Sequence, residues 1–225
     1  MPTADCKLSI HLKSYSDRPD KRKLNDGNAL PLMEAFYTLQ GEGYYQGSAA
    51  YFIRLGGCDV GCHWCDVKES WDASHHPVVA LEKIVENALK YPARIAVITG
   101  GEPAMYNLEP LTLVLHNAGF RTHIETSGAY PVTGRWDWVC LSPKKRKEPV
   151  NSIYSIAGEL KIVIFNQDDF KWAEKQAEKI GADCRLYLQP EWGKLNAVMG
   201  SIVEYVKKNP QWKVSMQVHK FMNIP

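Results

Sequence analysis

Short apolar segments alternate with amphipathic ones along most of this chain, and that alternation restricts the fold more than any other feature. Strands are predicted at 50–55, 94–98, 120–125, 136–141, 159–165, 184–188 and 212–218, after a strand-like start at Met33. Helices are predicted at 79–91, 108–118, 168–179 and 195–206. Strands that alternate with helices pair in parallel, and six or seven strands are too few for a closed barrel of eight. The predicted fold is therefore α/β, an open, partial parallel β/α barrel of about six strands.

The N-terminal part of the chain differs in composition from the rest. Residues 1–30 are polar and rich in Asp, Lys, Ser and Asn, which predicts a partly disordered extension with one short strand at 8–12. Residues 31–225 have a suitable length for a single domain with a substantial core.

The charge and hydropathy of the chain exclude several classes of protein. The formal net charge is +2, which gives no signal for binding a polyanion, so no direct nucleic-acid partner is predicted. No apolar run is long enough to span a membrane, and the N-terminus lacks the apolar core of a signal peptide. Six cysteines without a secretion signal predict a cytoplasmic protein rather than a disulfide framework.

Three of the six cysteines lie on one loop, with the spacing Cys58-x3-Cys62-x2-Cys65. Glycines at positions 56, 57 and 61 let this loop fold back after the strand at 50–55 without steric cost. Three thiolates can hold three irons of a four-iron cluster, and such clusters normally take four cysteines. Since no fourth cysteine lies nearby, one iron is expected to stay open to a ligand that is not protein.

A zinc site is the alternative for this loop, with His63 as the fourth ligand. Zinc loops usually come with a second pair of ligands, and none of Cys6, Cys140 and Cys184 belongs to such a pair. A zinc-dependent nucleic-acid-binding module remains the corresponding alternative function.

Polar and glycine-rich residues repeatedly follow the predicted strands, as in Thr99-Gly-Gly-Glu-Pro103 and Ser142-Pro-Lys144. In parallel α/β sheets, ligands bind at this carboxyl edge of the strands. Arg54, close to the cysteine loop, is placed to bind a substrate carboxylate through two N–H groups.

Taken in order, the motifs resemble those of the 7-carboxy-7-deazaguanine synthase (QueE) family of the radical S-adenosylmethionine (SAM) superfamily, over residues 32 to 225. The cysteine loop is specific only to the superfamily, whereas the combination is specific to the family. The matching segments are Leu39-Gln-Gly-Glu-Gly43, Phe52-Ile-Arg-Leu55, Gly57-Cys58, Cys62-His-Trp-Cys-Asp66, Thr99-Gly-Gly-Glu-Pro103, Ile124-Glu-Thr-Ser-Gly128, Ser142-Pro-Lys144, Gln189-Pro190 and Gln217-Val-His-Lys220.

The resemblance implies a lyase reaction in queuosine and 7-deazapurine biosynthesis, and hence in tRNA modification. A reduced [4Fe-4S] cluster cleaves SAM to methionine and a 5′-deoxyadenosyl radical, which takes a hydrogen from C6 of 6-carboxy-5,6,7,8-tetrahydropterin. The ring then contracts and ammonia leaves, giving 7-carboxy-7-deazaguanine.

The resemblance also implies a role for each matching residue. The cluster ligands are Cys58, Cys62 and Cys65. The substrate-binding residues are Leu39, Gln40, Gly41, Arg54, Thr99 and Pro225, the last through a terminal carboxylate. The SAM-binding residues are Trp64, Gly101, Glu102, Ser142, Pro143, Lys144, Gln189, Pro190, Glu191 and Trp192, with the Glu102 carboxylate expected to accept from the SAM ammonium.

One position departs from the family pattern. Family members commonly have threonine after Cys-Asp, and its hydroxyl binds Mg²⁺, whereas this chain has Val67. Valine offers no oxygen to a hard cation. Weak or absent magnesium dependence is therefore predicted, with Asp66 and Glu69 as possible substitute ligands.

The resemblance implies further partners and leaves one alternative reaction. The family is usually dimeric, and a flavodoxin or ferredoxin is expected to reduce the cluster. The basic segment Lys144–Lys147 is a candidate docking site for that donor. An activase that installs a glycyl radical in a partner enzyme is the alternative on the same scaffold, and the segments 39–43 and 217–225 argue against it.

Overall fold

The computed structural model describes residues 26–225, which contain a nine-stranded sheet in the order β3-β1-β2-β4-β5-β6-β7-β8-β9. The predicted strand at 8–12 and Cys6 lie outside the described residues. The strands are β1 (Ala29–Leu39), β2 (Ala49–Leu55), β3 (Val78–Ala80), β4 (Ile95–Gly100), β5 (Arg121–Thr126), β6 (Trp138–Leu141), β7 (Glu159–Ile164), β8 (Arg185–Pro190) and β9 (Trp212–Val214).

The parallel part of the sheet runs from β2 through β4 to β9, and this confirms the predicted α/β partial barrel. Two antiparallel strands extend it, since β1 pairs with both β2 and β3. The strand-like segment predicted at Met33 lies in β1, whereas β3 is not among the predicted strands. The prediction assigned residues 79 and 80 to a helix, which was wrong, since both belong to β3. Ala29 and Leu30, assigned to the polar extension, are buried in β1.

Five α-helices accompany the strands within residues 26–225. They are α1 (Leu81–Ala88), α2 (Glu109–Asn117), α3 (Asp168–Ala177), α4 (Leu195–Lys208) and α5 (Val218–Met222). None of the helices described for residues 26–225 combines the length and hydropathy that crossing a bilayer demands. The helices bury apolar residues at helical spacing, such as Leu81, Ile84 and Val85 of α1, against the sheet.

The two faces of the sheet have different chemistry, as β7 illustrates. Leu160, Ile162 and Ile164 belong to the main hydrophobic core, whereas Glu159 and Lys161 alternate with them and point to the opposite face. That inner face is the inside of the partial barrel. The sheet therefore gives its apolar face to the helices and keeps a polar face for the interior.

The last strand is shorter than predicted, and the prediction of strand over 212–218 was wrong beyond Val214. The chain instead turns into α5, which ends at Asn223 in the left-handed conformation with φ of 53°. The amide of Ile224 donates back to the carbonyl oxygen of His219 at 3.1 Å. This reversal brings the final residues towards the interior of the barrel.

Candidate active site

A cavity of about 590 Å³ opens on the inner face of the sheet, at the carboxyl ends of the parallel strands. It is lined by every residue predicted to bind substrate, SAM or iron except Pro143, which is buried beside it. The lining residues are Leu39, Gln40, Gly41, Arg54, Thr99 and Pro225; Trp64, Gly101, Glu102, Ser142, Lys144, Gln189, Pro190, Glu191 and Trp192; and Cys58, Cys62 and Cys65.

The cysteine loop follows β2 directly and is fixed by backbone hydrogen bonds. The amide of Cys58 donates to the carbonyl oxygen of Trp71 at 3.0 Å, and the amide of Cys65 donates to that of Cys62 at 3.1 Å. Gly57 and Gly61 have φ of 102° and 67°, which favour glycine. The three thiols consequently face the same cavity.

The environment of the thiols suits an iron–sulfur cluster better than a single ion. No group of three His, Cys, Asp or Glu side chains among residues 26–225 lies close enough to hold one metal ion. A cluster needs less convergence, because each thiolate binds a different iron. Burial raises the pKa of the Cys58 and Cys62 thiols, and binding to iron would deprotonate them. His63, the fourth ligand in the zinc interpretation, packs its ring against Phe165 instead.

The Gly-Gly-Glu turn after β4 lies directly against the cysteine loop. The amide of Gly101 donates to the carbonyl oxygen of Leu55 at 3.0 Å, and that of Glu102 donates to Gly57 at 2.8 Å. A Cβ atom at Gly101 would lie 2.7 Å from the Cβ of Cys58, closer than packed atoms can approach. The glycine therefore allows the contact between the turn and the loop.

The Glu102 carboxylate has a different role from the predicted one. It is 1% exposed and accepts hydrogen bonds from the amides of Ala104 and Ser127 at 3.0 and 2.8 Å. The hydroxyls of Thr126, at 2.5 Å, and of Ser127 also donate to it. Four donors fill the lone-pair directions of a carboxylate, so acceptance from a SAM ammonium, as predicted, does not fit this arrangement. The side chain joins the ends of β4 and β5.

Arg54 and Thr99 are direct neighbours in the register of β2 and β4. The Nε of Arg54 donates to Oε1 of Glu34 at 2.7 Å, and its guanidinium lies over Phe36 at 5.8 Å. This contact orients the guanidinium. Its terminal N–H groups have no hydrogen-bond acceptor among residues 26–225, and Arg54 lines the cavity together with Thr99.

Lys144 is held at the end of β6 beside the cysteine loop. Its Nζ donates to the carbonyl and hydroxyl oxygens of Ser142 at 2.5 and 2.7 Å, and lies 5.6 Å from the Trp64 ring centroid. Burial lowers the pKa of Lys144. The side chain adds positive charge near the wall formed by the cysteine loop.

Three charged side chains form the floor of the cavity, which we define as Glu42, Glu125 and Lys161. The Lys161 Nζ donates to Oε2 of Glu42 at 2.6 Å and to Oε2 of Glu125 at 2.8 Å. Gln40 donates to the other oxygen of Glu125 at 3.1 Å. Burial works to raise the pKa of Glu42, but Lys161 and Gln217 outweigh it and lower that pKa to about 2.

The helix α5 closes the cavity against the loop between β1 and β2. The amide of Val218 donates to the carbonyl oxygen of Gly41 at 2.9 Å, and Gln217 donates to Oε1 of Glu42 at 2.9 Å. The His219 ring occupies the space that a Cβ atom at Gly41 would need. Pro225, at the end of this segment, lies in the cavity wall.

The segment after the cluster cysteines offers little to a hard cation. Val67 lines the cavity without a side-chain oxygen. The neighbouring Asp66 accepts from Lys220 at 2.9 Å, so a cation already neutralises it. Glu69, the other predicted substitute ligand, is exposed and lies outside the cavity wall.

Comparisons with known proteins agree with this geometry. A sequence model of the Radical SAM superfamily matches residues 52–139, which contain the cysteine loop and the Gly-Gly-Glu turn. The 7-carboxy-7-deazaguanine synthase of Flavobacterium psychrophilum is 59% identical over 199 residues, covering 88% of this chain and 94% of the relative.

The chain belongs to the 7-carboxy-7-deazaguanine synthase family.

More distant relatives have the same name and fold. The 7-carboxy-7-deazaguanine synthase of Escherichia coli K12 is 35% identical over 221 residues, covering 86% of this chain and 98% of the relative. The crystal structure of QueE from Escherichia coli matches with a TM-score of 0.75 and 31% identity, covering 90% of this chain and 99% of that one.

Membership of the 7-carboxy-7-deazaguanine synthase family confirms the predicted enzyme class, a radical SAM lyase. It implies a [4Fe-4S] cluster and SAM as cofactors. Neither the glycyl-radical activase nor the zinc module is favoured by these relatives.

Sequence reasoning gave no role to several residues of this site. Glu42, Glu125, Gln217 and His219 lie within quoted motifs, but only the structure shows that their side chains meet in the cavity. Lys161 belongs to none of the matching motifs, and the sequence predicts only that it lies in a strand. Its signal was a charge placed in the middle of an otherwise apolar strand.

Proposed function

We propose that this protein converts 6-carboxy-5,6,7,8-tetrahydropterin to 7-carboxy-7-deazaguanine with loss of ammonia. One observation carries the proposal: in a member of the 7-carboxy-7-deazaguanine synthase family, a single cavity is lined by the three-cysteine loop and by a charged floor suited to a polar heterocycle. The other residues that line the cavity are consistent with the same reaction.

We assign the cofactors to the part of the cavity wall formed by the cysteine loop and the strand ends beside it. Cys58, Cys62 and Cys65 would hold the [4Fe-4S] cluster, with one iron open to SAM. SAM would lie against Trp64, the Gly101 backbone, Ser142, Lys144 and the segment 189–192, with Pro143 shaping the turn behind them. When bound, the cluster and SAM supply the radical that removes a hydrogen atom from the substrate.

The remaining wall and the floor would bind the pterin. The terminal N–H groups of Arg54 are placed to hold the substrate carboxylate, beside the Thr99 hydroxyl. The backbone at 39–41 and Pro225 would border the ring. The side-chain oxygens of Glu42 and Glu125, which Lys161 holds in place, are suitable acceptors for its N–H groups.

The proposal extends to the location, pathway, electron donor, assembly and metal dependence of the enzyme. Cytoplasmic location and the queuosine or 7-deazapurine pathway are supported by the relatives' name and by the free thiols of the described cysteines. A flavodoxin or ferredoxin is the proposed electron donor, a homodimer the proposed assembly, and no direct nucleic-acid contact is proposed. Because Asp66 is paired with Lys220 and residue 67 is valine, magnesium dependence is proposed to be weak.

The test is anaerobic reconstitution with iron and sulfide, followed by incubation with SAM, a low-potential reductant and 6-carboxy-5,6,7,8-tetrahydropterin. The expected result is a product with the mass and absorbance of 7-carboxy-7-deazaguanine, absent from a Cys62→Ser control. Cleavage of SAM without any conversion of the pterin would refute the proposed function while leaving the cofactor assignment standing.

A further inference from the structure

Lys161 occupies an unusual position for a lysine, in the middle of β7 on the inner face of the sheet. Its side chain is 4% exposed, although lysine is among the residues least often buried. The ammonium group contacts two carboxylates that come from different elements, Glu42 from the loop after β1 and Glu125 from β5. Both carboxylates line the cavity.

The titratable groups around Lys161 come from several elements. Glu42 lies on the β1–β2 loop, Glu125 on β5, Cys140 on β6, Lys144 just after β6 and Glu159 two residues back on β7. Burial works to lower the pKa of Lys161, but Cys140, Glu125, Glu42 and Glu159 together raise it well above its ordinary value. His219 also faces Glu42 from α5. The lysine therefore remains a cation, and its ion-pair partners are Glu42 and Glu125.

Stability alone gives little reason for this arrangement. Replacing a buried ion pair by well-packed apolar residues is often neutral or stabilising, because burial removes the charges from water. The apolar core of this domain lies on the other side of the same strand, where Leu160 and Ile162 pack. The charge of Lys161 instead acts on the two carboxylates, which keep part of their surface for the cavity.

We propose that Lys161 is a positioning residue for the reaction, whose ammonium holds the carboxylates of Glu42 and Glu125 at a fixed separation, so that both can accept N–H groups of the substrate. This inference rests on the proposed function, since it assigns the floor of the cavity to substrate recognition. Lys161 acts through the two carboxylates and binds no substrate atom itself.

The test compares Lys161→Met with wild type on reconstituted protein. Met keeps the length of the side chain and removes the charge. We expect kcat/KM for the carboxy-tetrahydropterin to fall at least about 100-fold, a typical cost for losing preorganised electrostatics in an active site. Iron content and the slow cleavage of SAM without substrate should stay within about twofold of wild type, because Lys161 bonds Glu42 and Glu125 and none of the three cluster cysteines.

The pH profile separates positioning from a structural defect. Lys161 is a main cause of the low pKa of Glu42, so without the ammonium that pKa rises and the ionised form of Glu42 appears only at higher pH. The acidic limb of the Lys161→Met profile should therefore move up by about one unit or more, and activity should partly recover as the pH is raised. A damaged fold would show no such recovery.

Two controls complete the experiment. Lys83→Met removes an exposed lysine paired with Glu86 and should leave every parameter at the wild-type value. If Lys161→Met is insoluble, Lys161→Arg keeps the charge but displaces the carboxylates. That variant should keep the wild-type acidic limb and lose about tenfold or more in kcat/KM.

The outcomes distinguish the two proposals. If the wild-type enzyme converts the pterin and Lys161→Met has the same kcat/KM and pH profile, the role of Lys161 alone is overturned. A wild-type kcat/KM in Lys161→Arg has the same meaning. Equal loss of iron, of SAM cleavage and of turnover in Lys161→Met, without recovery at high pH, also overturns it. A wild-type enzyme that converts no pterin overturns the proposed function, and the role of Lys161 with it.

Discussion

The outer and inner faces of the sheet differ sharply although they are built from alternate residues of the same strands. On β7, Ile162 and Ile164 are buried under the helices, while Glu159 and Lys161 are equally buried inside the barrel. The outer residues are interchangeable in chemistry, since each removes apolar surface from water. The inner residues are individually paired by charge and hydrogen bond. Burial therefore serves stability on one face and recognition on the other.

The sharpest way to test this difference is Glu125→Gln, which changes the inner face without changing its volume. We expect kcat/KM to fall by about 100- to 1,000-fold, because the amide replaces an acceptor oxygen of the proposed substrate site with a donor. The free energy of unfolding should change by about 1 kcal/mol or less, since Lys161 keeps its bond to Glu42. Steady-state kinetics and urea unfolding on one preparation check both expectations; normal kinetics would contradict the role of the floor.

The opposite substitution is Ile162→Ala, one residue from Lys161 but on the outer face. Deleting a fully buried aliphatic side chain should lower the free energy of unfolding by about 2 to 5 kcal/mol. The value of kcat per folded molecule should be unchanged, because Ile162 lies under the helices. Urea unfolding and active-site-normalised kinetics give the two values. If Ile162→Ala loses catalysis but keeps its stability, the outer face of the sheet also contributes to catalysis and the proposed division between the two faces is wrong.

His123 provides a further test of the inner face. Its ring contacts Tyr45, and its Nε2 has no hydrogen-bond partner among residues 26–225. Burial lowers the pKa of His123 to about 4. Between about pH 6.5 and pH 4, the histidine of the unfolded chain, with an ordinary pKa near 6.5, binds a proton, whereas that of the folded protein does not. Stability should therefore fall as the pH drops from about 6.5 to 4, by about 1.4 kcal/mol per unit.

The variant His123→Leu should remove that pH dependence. The difference in unfolding free energy between wild type and variant should be constant above pH 7 and should change by roughly 3 kcal/mol on acidification to pH 4. Chemical unfolding at several pH values measures it. Parallel curves for the two proteins over this range would show that His123 titrates normally.

The smallest expected effect concerns the rim of the cavity. Adding Mg²⁺ to chelator-treated wild type should change turnover by less than about twofold, because the side chain of residue 67 offers no oxygen and Asp66 is paired with Lys220. Val67→Thr supplies a hydroxyl and should respond more strongly to the ion. A many-fold rise in wild-type turnover on adding Mg²⁺ would contradict the prediction.

Much of the fold could be predicted because alternation of strand and helix is a local pattern. The parallel strands followed from their apolar segments, while β3 did not, since three residues carry too little pattern to separate a strand from the start of α1. The helix α5 was missed for a similar reason. It has five residues and depends on its contact with Gly41, which is distant in sequence.

The site was predictable where its residues form contiguous motifs. The cysteine loop and the Gly-Gly-Glu turn are of this kind, and both line the cavity. The floor was not, because Glu42, Glu125 and Lys161 lie more than thirty residues apart and meet only through the curvature of the sheet. The role of the Glu102 carboxylate was predicted wrongly, since its four donors come from the next strand end and the following turn.

The contact of Gly41 with the His219 ring joins two segments that lie far apart along the chain. The ribosome makes the cysteine loop and the Gly-Gly-Glu turn before it makes α5, whose neighbour Gln217 covers Glu42. This side of the cavity is therefore completed only after the residues that would hold the cluster have been synthesised.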